Sequence, residues 1–178
     1  LVGAAAALRV GAGDDPTTDV CPMISAAARE RIAAATSKAE GEGAELLLDG
    51  REDAGPGGTM LGPTIAAVSD PESELARDEL FGPLLTLVDV PDLDAALDFV
   101  NGSRYGNAGA IFTRSGEAAR RYRYGAEAGM LGVNVGVPAP VAWFPFSGWK
   151  DSMYGDLHAN GTDAVDFYTR KKVVTTRW

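Results

Sequence analysis

The chain has 178 residues, 46% of them hydrophobic and 23% charged, so it can bury a real core and is not disordered as a whole. Its net charge of −9 excludes a general electrostatic field for nucleic acid and disfavours an anionic membrane surface. One cysteine allows no internal disulfide, which suits a reducing cytoplasm, and no apolar run approaches the roughly 20 residues that span a bilayer.

Residues 1–9 read as the tail of a helix, broken by Gly11, Gly13 and Pro16, with a loop over 10–23. The start LVGAAAALRV lacks a basic leader and contains Arg9, so it does not read as a signal peptide. Because it opens on Leu inside a helix-like pattern, residue 1 is not expected to be the true start of the parent protein. Ser25 is an N-cap for a helix over 26–42 whose thin alanine face suits close packing. Glu45–Asp49 reads as a short buried strand and 50–58 as a turn-rich loop. Met60–Val68 is extended, with Pro63 limiting it to an edge or irregular strand.

Asp70-Pro71 opens a short acidic helix over 71–79, since proline suits the first helical position. Phe81-Gly82-Pro83 is a sharp turn before a buried strand, Leu84–Val90. Asp92 caps a helix over 93–102 with Leu93, Ala96, Leu97 and Val100 on one face. A strand at Gly106–Thr113, a helix from Ser115 to about Glu127 terminated by Gly129, and a strand at Met130–Val135 follow. A proline- and aromatic-rich loop (136–148), a helix near 161–168 and a last strand, Lys171–Trp178, complete the chain. The alternation from residue 84 predicts an α/β fold with a parallel sheet, whose chemistry sits at the carboxyl ends of its strands.

Cys21 as a nucleophile needs a base such as the single His158, far away in sequence, so it reads as a loop cysteine. Arg120-Arg121-Tyr122-Arg123-Tyr124 interleaves cations and rings as single-strand binders do, but on this acidic chain it reads as a solvated helix face. Asp89, Asp92, Asp94 and Asp98 do not follow a calcium-loop spacing, and no metal site is expected. GAG at 11–13 and GPGG at 55–58 are plain turns. Two stretches carry more. In Asp78-Glu79-Leu80-Phe81-Gly82-Pro83 a carboxylate can accept both hydroxyls of a ribose and a ring can pack on a flat heterocycle; a helix end with an anchoring Phe explains the residues equally well. Pro145-Phe146-Ser147-Gly148-Trp149-Lys150 follows an aromatic loop that suits either an apolar pocket wall or packing against another domain.

DELFGP, NGSRYGNAGAIFTR, GMLGVNV and PFSGWKDS, in that order, resemble the aldehyde dehydrogenase superfamily over essentially the whole chain, down to YTRKKVVTTRW. VNVGVPAPVAWFPFSGWKDSMYGDLH is similar to its CoA-acylating methylmalonate-semialdehyde branch, with Gly136 where that branch usually has proline. The resemblance implies a parallel-sheet catalytic domain, incomplete at its N-terminus, over residues 1–167, and a C-terminal oligomerisation strand over 168–178. It implies that the nucleophilic cysteine precedes Leu1, so no catalytic residue is assigned within the chain. Glu79 then resembles the carboxylate that holds the nicotinamide ribose, and Phe81 the ring beside the nicotinamide. Trp143, Phe144 and Phe146 resemble the wall of the aldehyde tunnel. The implied parent uses NAD and coenzyme A: a cysteine thiolate attacks a small-molecule aldehyde, hydride passes to NAD, and CoA takes the acyl group as CO2 is lost. The isolated chain is expected to be inactive, to bind neither cofactor tightly, and to self-associate through its last strand, as a cytoplasmic homo-oligomer without nucleic-acid or membrane partners. A dehydrogenase releasing a free acid, and a stand-alone interaction module, are the competing readings.

Overall fold

The structure is a computed structural model that describes residues 1–52 and 55–178. They form two compact units, Leu1–Asp89 and Val90–Trp178. This division falls inside the segment 1–167 that sequence alone treats as one.

The first unit opens with α1 (Val2–Ala6) and a loop closed by a bridge between Val10 and Val20. In α2 (Ala26–Gly41) the Ser25 hydroxyl accepts the Ala28 amide at 3.1 Å, as its position predicts. The helix buries Ile32, Ala35, Thr36 and Ala39, one stripe at helical spacing. Two of these four are alanine, so the face is thin. Ala35 and Ala39 pack with Ala66, Val68 and Leu75 in one core cluster. The sheet holds β1 (Glu45–Leu48), β2 (Thr64–Val68) and β3 (Leu84–Val88), with β1–β2 antiparallel and β2–β3 parallel.

Several sequence expectations change here. β2 is the central strand, not an edge, because the ladder begins at Thr64 and Pro63 lies just before it. β1 alternates between exposed and half-buried residues rather than being buried. The helix expected over 71–79 shrinks to α3 (Glu74–Arg77). Asp70 turns the chain instead: its carboxylate accepts the Glu72 amide at 2.9 Å and its carbonyl the Ser73 amide at 3.2 Å. Gly50 and Gly62 cross backbone to backbone, where a Cβ on Gly50 would lie 2.2 Å from the Gly62 carbonyl.

The second unit contains α4 (Leu93–Gly102), β4 (Tyr105–Gly106), β5 (Ala108–Ile111), α5 (Gly116–Gly125), β6 (Met130–Val133), β7 (Trp149–Lys150) and α6 (Gly161–Tyr168). Asp92 and Ser115 cap α4 and α5 by accepting the Ala95 and Ala118 amides at 2.9 and 3.2 Å. The expected strand–helix–strand unit appears as β5–α5–β6, with β5 and β6 parallel. Tyr122 is the buried anchor of α5, and its hydroxyl lies over Gly109 of β5, where a Cβ would come within 2.7 Å. The strand expected over 106–113 divides into β4, which pairs antiparallel with β7, and β5. β3 pairs with β2, so the strands after residue 84 do not form the single ladder that alternation alone suggests. Helix α5 stops at Gly125 because the Asn101 side chain donates to the Gly125 carbonyl at 2.7 Å and accepts the Glu127 amide at 2.8 Å.

Residues 171–178 are exposed and carry no strand. A strand exists only through a ladder partner, and among the described residues none pairs with this segment. No helix among the described residues is long and apolar enough to cross a membrane.

Candidate functional site

Glu79 and Phe81 lie in the short connection between α3 and β3, which three contacts fix to the first unit. The Arg31 guanidinium on α2 donates to the Leu80 carbonyl at 2.8 Å. The Thr64 amide donates to the Pro83 carbonyl at 2.8 Å. Between these bonds Gly82 rests on the core: a Cβ there would lie 2.2 Å from Ile32 Cδ1 and 3.4 Å from Met23 Cε. Any side chain at 82 would force the buried Ile32 to shift.

With Leu80 and Pro83 held and Gly82 pressed inward, Phe81 is forced outward. Its φ is +54°, a conformation that L residues with a ring rarely adopt, and its side chain is 75% exposed. The Glu79 carboxylate is exposed and makes no hydrogen bond or ion pair with another described residue. Glu79 and Phe81 both line an open cavity of about 380 Å3, with Leu75 and Thr86 in its walls. A free carboxylate offers two acceptor oxygens and no donor. Set two residues from an outward ring, it suits a pair of ribose hydroxyls beside a flat heterocycle. The residues therefore fit a nucleoside-bearing cofactor by chemistry.

Trp143, Phe144 and Phe146 form a second feature, within the second unit. They are 82%, 62% and 42% exposed, so this segment presents a run of rings to whatever covers it. The backbone beneath is firmly held. The Phe146 amide donates to the Ala159 carbonyl at 2.6 Å, the Gly161 amide to the Ala142 carbonyl at 3.1 Å, and the Phe144 amide to the Val141 carbonyl at 3.0 Å. Downstream, Gly129 and Gly148 meet backbone to backbone, a Cβ on Gly129 falling 2.7 Å from Gly148 Cα. Lys150 then donates to the carbonyls of Asn101 and Ser103 at 2.6 and 3.1 Å and pairs with Glu127 at 3.0 Å.

The other candidates resolve into structural roles. Cys21 is an exposed free thiol in the 10–23 loop. Within RRYRY, Arg121 pairs with Asp94, Tyr122 enters the core, and the Arg123 guanidinium lies 5.4 Å from the Tyr124 ring centre. Asp92 is engaged in capping α4.

Sequence reasoning missed Arg31, the anchoring contacts of Lys150, and the pairing of His158 with Asp163. One Asp163 oxygen accepts both the His158 amide and Nδ1, each at 3.1 Å. These bonds, the amide first, hold the Asp163 carboxyl below the usual carboxylate range. Asn160-Gly161 is a readable turn signal, but nothing in its spacing marks His158 and Asp163 as partners.

The aldehyde dehydrogenase family model matches residues 1–174. Malonate-semialdehyde dehydrogenase 1 of Geobacillus kaustophilus (strain HTA426) is 50% identical over 173 residues, covering 96% of this chain and 36% of the relative. The crystal structure of methylmalonate-semialdehyde dehydrogenase from Oceanimonas doudoroffii superposes with a TM-score of 0.93 at 40% identity, covering 99% of this chain and 37% of that one. A Sinorhizobium meliloti 1021 structure solved as a complex with NAD gives a TM-score of 0.95 at 37% identity, covering 100% of this chain and 37% of that one. The chain thus spans little more than a third of the length of these relatives.

Proposed function

Since the chain belongs to the aldehyde dehydrogenase family, we propose that it is the C-terminal part of an NAD-dependent, CoA-acylating dehydrogenase of a short carboxylated semialdehyde. The observation that carries this reading is the α3–β3 connection. A carboxylate with no partner among the described residues and a ring in a left-handed conformation share one cavity, at a turn held by three contacts. Similarity to semialdehyde dehydrogenases over nearly the whole chain supports the substrate class.

In this reading Glu79 accepts hydrogen bonds from the two hydroxyls of the nicotinamide ribose, and Phe81 packs beside the nicotinamide ring. NAD, when bound, accepts the hydride from the aldehyde carbon. Trp143, Phe144 and Phe146 exclude water from the aldehyde and orient it, which is where a protein adds most when a cofactor carries the chemistry. The nucleophilic cysteine lies in a segment that precedes Leu1 in the parent, and CoA releases the acyl group from it. In the segment 168–178, the residues after α6 gain a strand partner in a homo-oligomer, which their exposure in the single chain permits.

The test joins this chain behind the N-terminal part of the Geobacillus relative and follows the product of methylmalonate-semialdehyde oxidation. The reading expects an acyl-CoA thioester formed in step with NADH. A free acid formed while CoA stays intact would move the assignment to the non-acylating branch.

A further inference from the structure

We propose that His158 and Asp163 are positioning residues that hold the aromatic segment Ala142–Phe146 in place. The catalytic consequence of this pair, though not the pair itself, rests on the assignment of Trp143, Phe144 and Phe146 to the aldehyde pocket.

The chain from Ala159 to Gly161 grips the aromatic segment at two points. The Ala159 carbonyl accepts the Phe146 amide at 2.6 Å, and the Gly161 amide donates to the Ala142 carbonyl at 3.1 Å. Between these points the backbones touch: a Cβ on Gly161 would lie 2.9 Å from the Trp143 carbonyl oxygen and 3.0 Å from the Pro145 nitrogen. The grip therefore depends on the path of residues 159–161.

That path is costly to maintain. Asn160 and Gly161 are left-handed in succession, with φ of +69° and +59°. Asn160 stands at the N-cap of α6, yet its side chain makes no capping bond. The stabilising group comes from inside the helix. Asp163 is the third residue of α6, the position from which a capping-box carboxylate reaches back to a preceding amide. Here it reaches further, to the His158 amide, and the same oxygen takes His158 Nδ1 as a second bond. An ionised carboxylate is an acceptor only, so Nδ1 carries the proton in this contact. The two bonds close a loop from 158 to 163 that contains both left-handed residues. The side chains of His158 and Asp163 are only 24% and 25% exposed.

The experiment compares His158→Ala, Asp163→Ala and the donor-retaining His158→Asn with the parent chain, measuring amide exchange residue by residue by NMR. The two alanine variants are expected to speed exchange at Phe146 and Gly161 by about five- to tenfold, the weight of one net hydrogen bond. Amides of Met130–Val133 should stay unchanged, and His158→Asn should restore protection because its side-chain N–H stands near the Nδ1 position. Unchanged exchange at Phe146 in both alanine variants overturns the proposal, as does equal acceleration in Met130–Val133, which would signal general loosening. The same variants in the fused dehydrogenase should raise the aldehyde KM several-fold with kcat and the NAD KM little altered. Faster exchange at Phe146 with an unchanged aldehyde KM would leave the positioning pair standing and refute the pocket assignment.

Discussion

Gly82 and Glu79 divide the work of one turn between them. Gly82 sets its height over the core. Gly82→Ala places a methyl group against Ile32 Cδ1 at 2.2 Å, and overpacking of this kind costs about 1–3 kcal/mol. Thermal unfolding should show the loss, and Ile32→Val, which removes the clashing atom, should recover part of it in the double variant. Under the proposed function Glu79 contributes to affinity rather than stability, because none of the described residues pairs with its carboxylate. Glu79→Gln should leave the melting temperature unchanged and weaken NAD binding by the fused dehydrogenase roughly tenfold, the scale of a lost hydrogen bond to a charged group. Fluorescence titration with NADH measures it, and equal affinity of the two proteins would remove Glu79 from the ribose site. Asp163 adds a pH signature. Its carboxyl titrates below its usual range in the folded chain, so its contribution is present above the ordinary aspartate pKa of about 3.9 and is lost as pH falls through the lowered folded value. Exchange at Phe146 should therefore be flat from pH 7 to 5, after correction for intrinsic rates, and rise only in stronger acid.

Among the elements, α5 offers the sharpest test of packing. Burial raises the Tyr122 phenol above its usual value near 10. The folded chain thus keeps that proton where the unfolded chain loses it. Stability from the neutral phenol is complete below pH 10 and declines as pH rises toward the folded pKa. Denaturant unfolding of Tyr122→Phe should lack this alkaline decline; an identical decline would place its source elsewhere. Helix starts were legible in the sequence because a cap is local: Ser25, Asp92 and Ser115 each accept the amide three residues on, as read. The alanine stripe of α2 was legible for the same reason. Strand pairing was not. That β2 is central, that β3 joins it, and that β4 pairs with β7 depend on partners up to 45 residues apart, about which local pattern says little. The helix expected at 71–79 failed because the Asp70 side chain bonds to Glu72 and forms a turn that proline tolerates equally well. At the candidate site, Glu79 and Phe81 were singled out through a motif, while Arg31 and the His158–Asp163 pair were invisible because their contacts exist only in the folded chain.

For the whole molecule, the chain has the fold of its family over nearly its full length while spanning little more than a third of its relatives. Its exposed apolar residues fit that position. Trp143, Tyr154, Tyr168, Val173 and Trp178 are each more than four-fifths exposed, leaving large apolar side chains free for a covering surface. The account therefore predicts that the chain supplies one edge of a cofactor site and one wall of a pocket, while the nucleophile comes from elsewhere in the parent. The most direct measurement is NADH formation from methylmalonate semialdehyde, NAD and CoA, by the 178-residue chain alone and by its fusion behind the N-terminal part of the Geobacillus relative. The account predicts no turnover by the chain alone and CoA-dependent turnover by the fusion. Turnover by the isolated chain, or a folded fusion that binds NAD and leaves the aldehyde untouched, would contradict it.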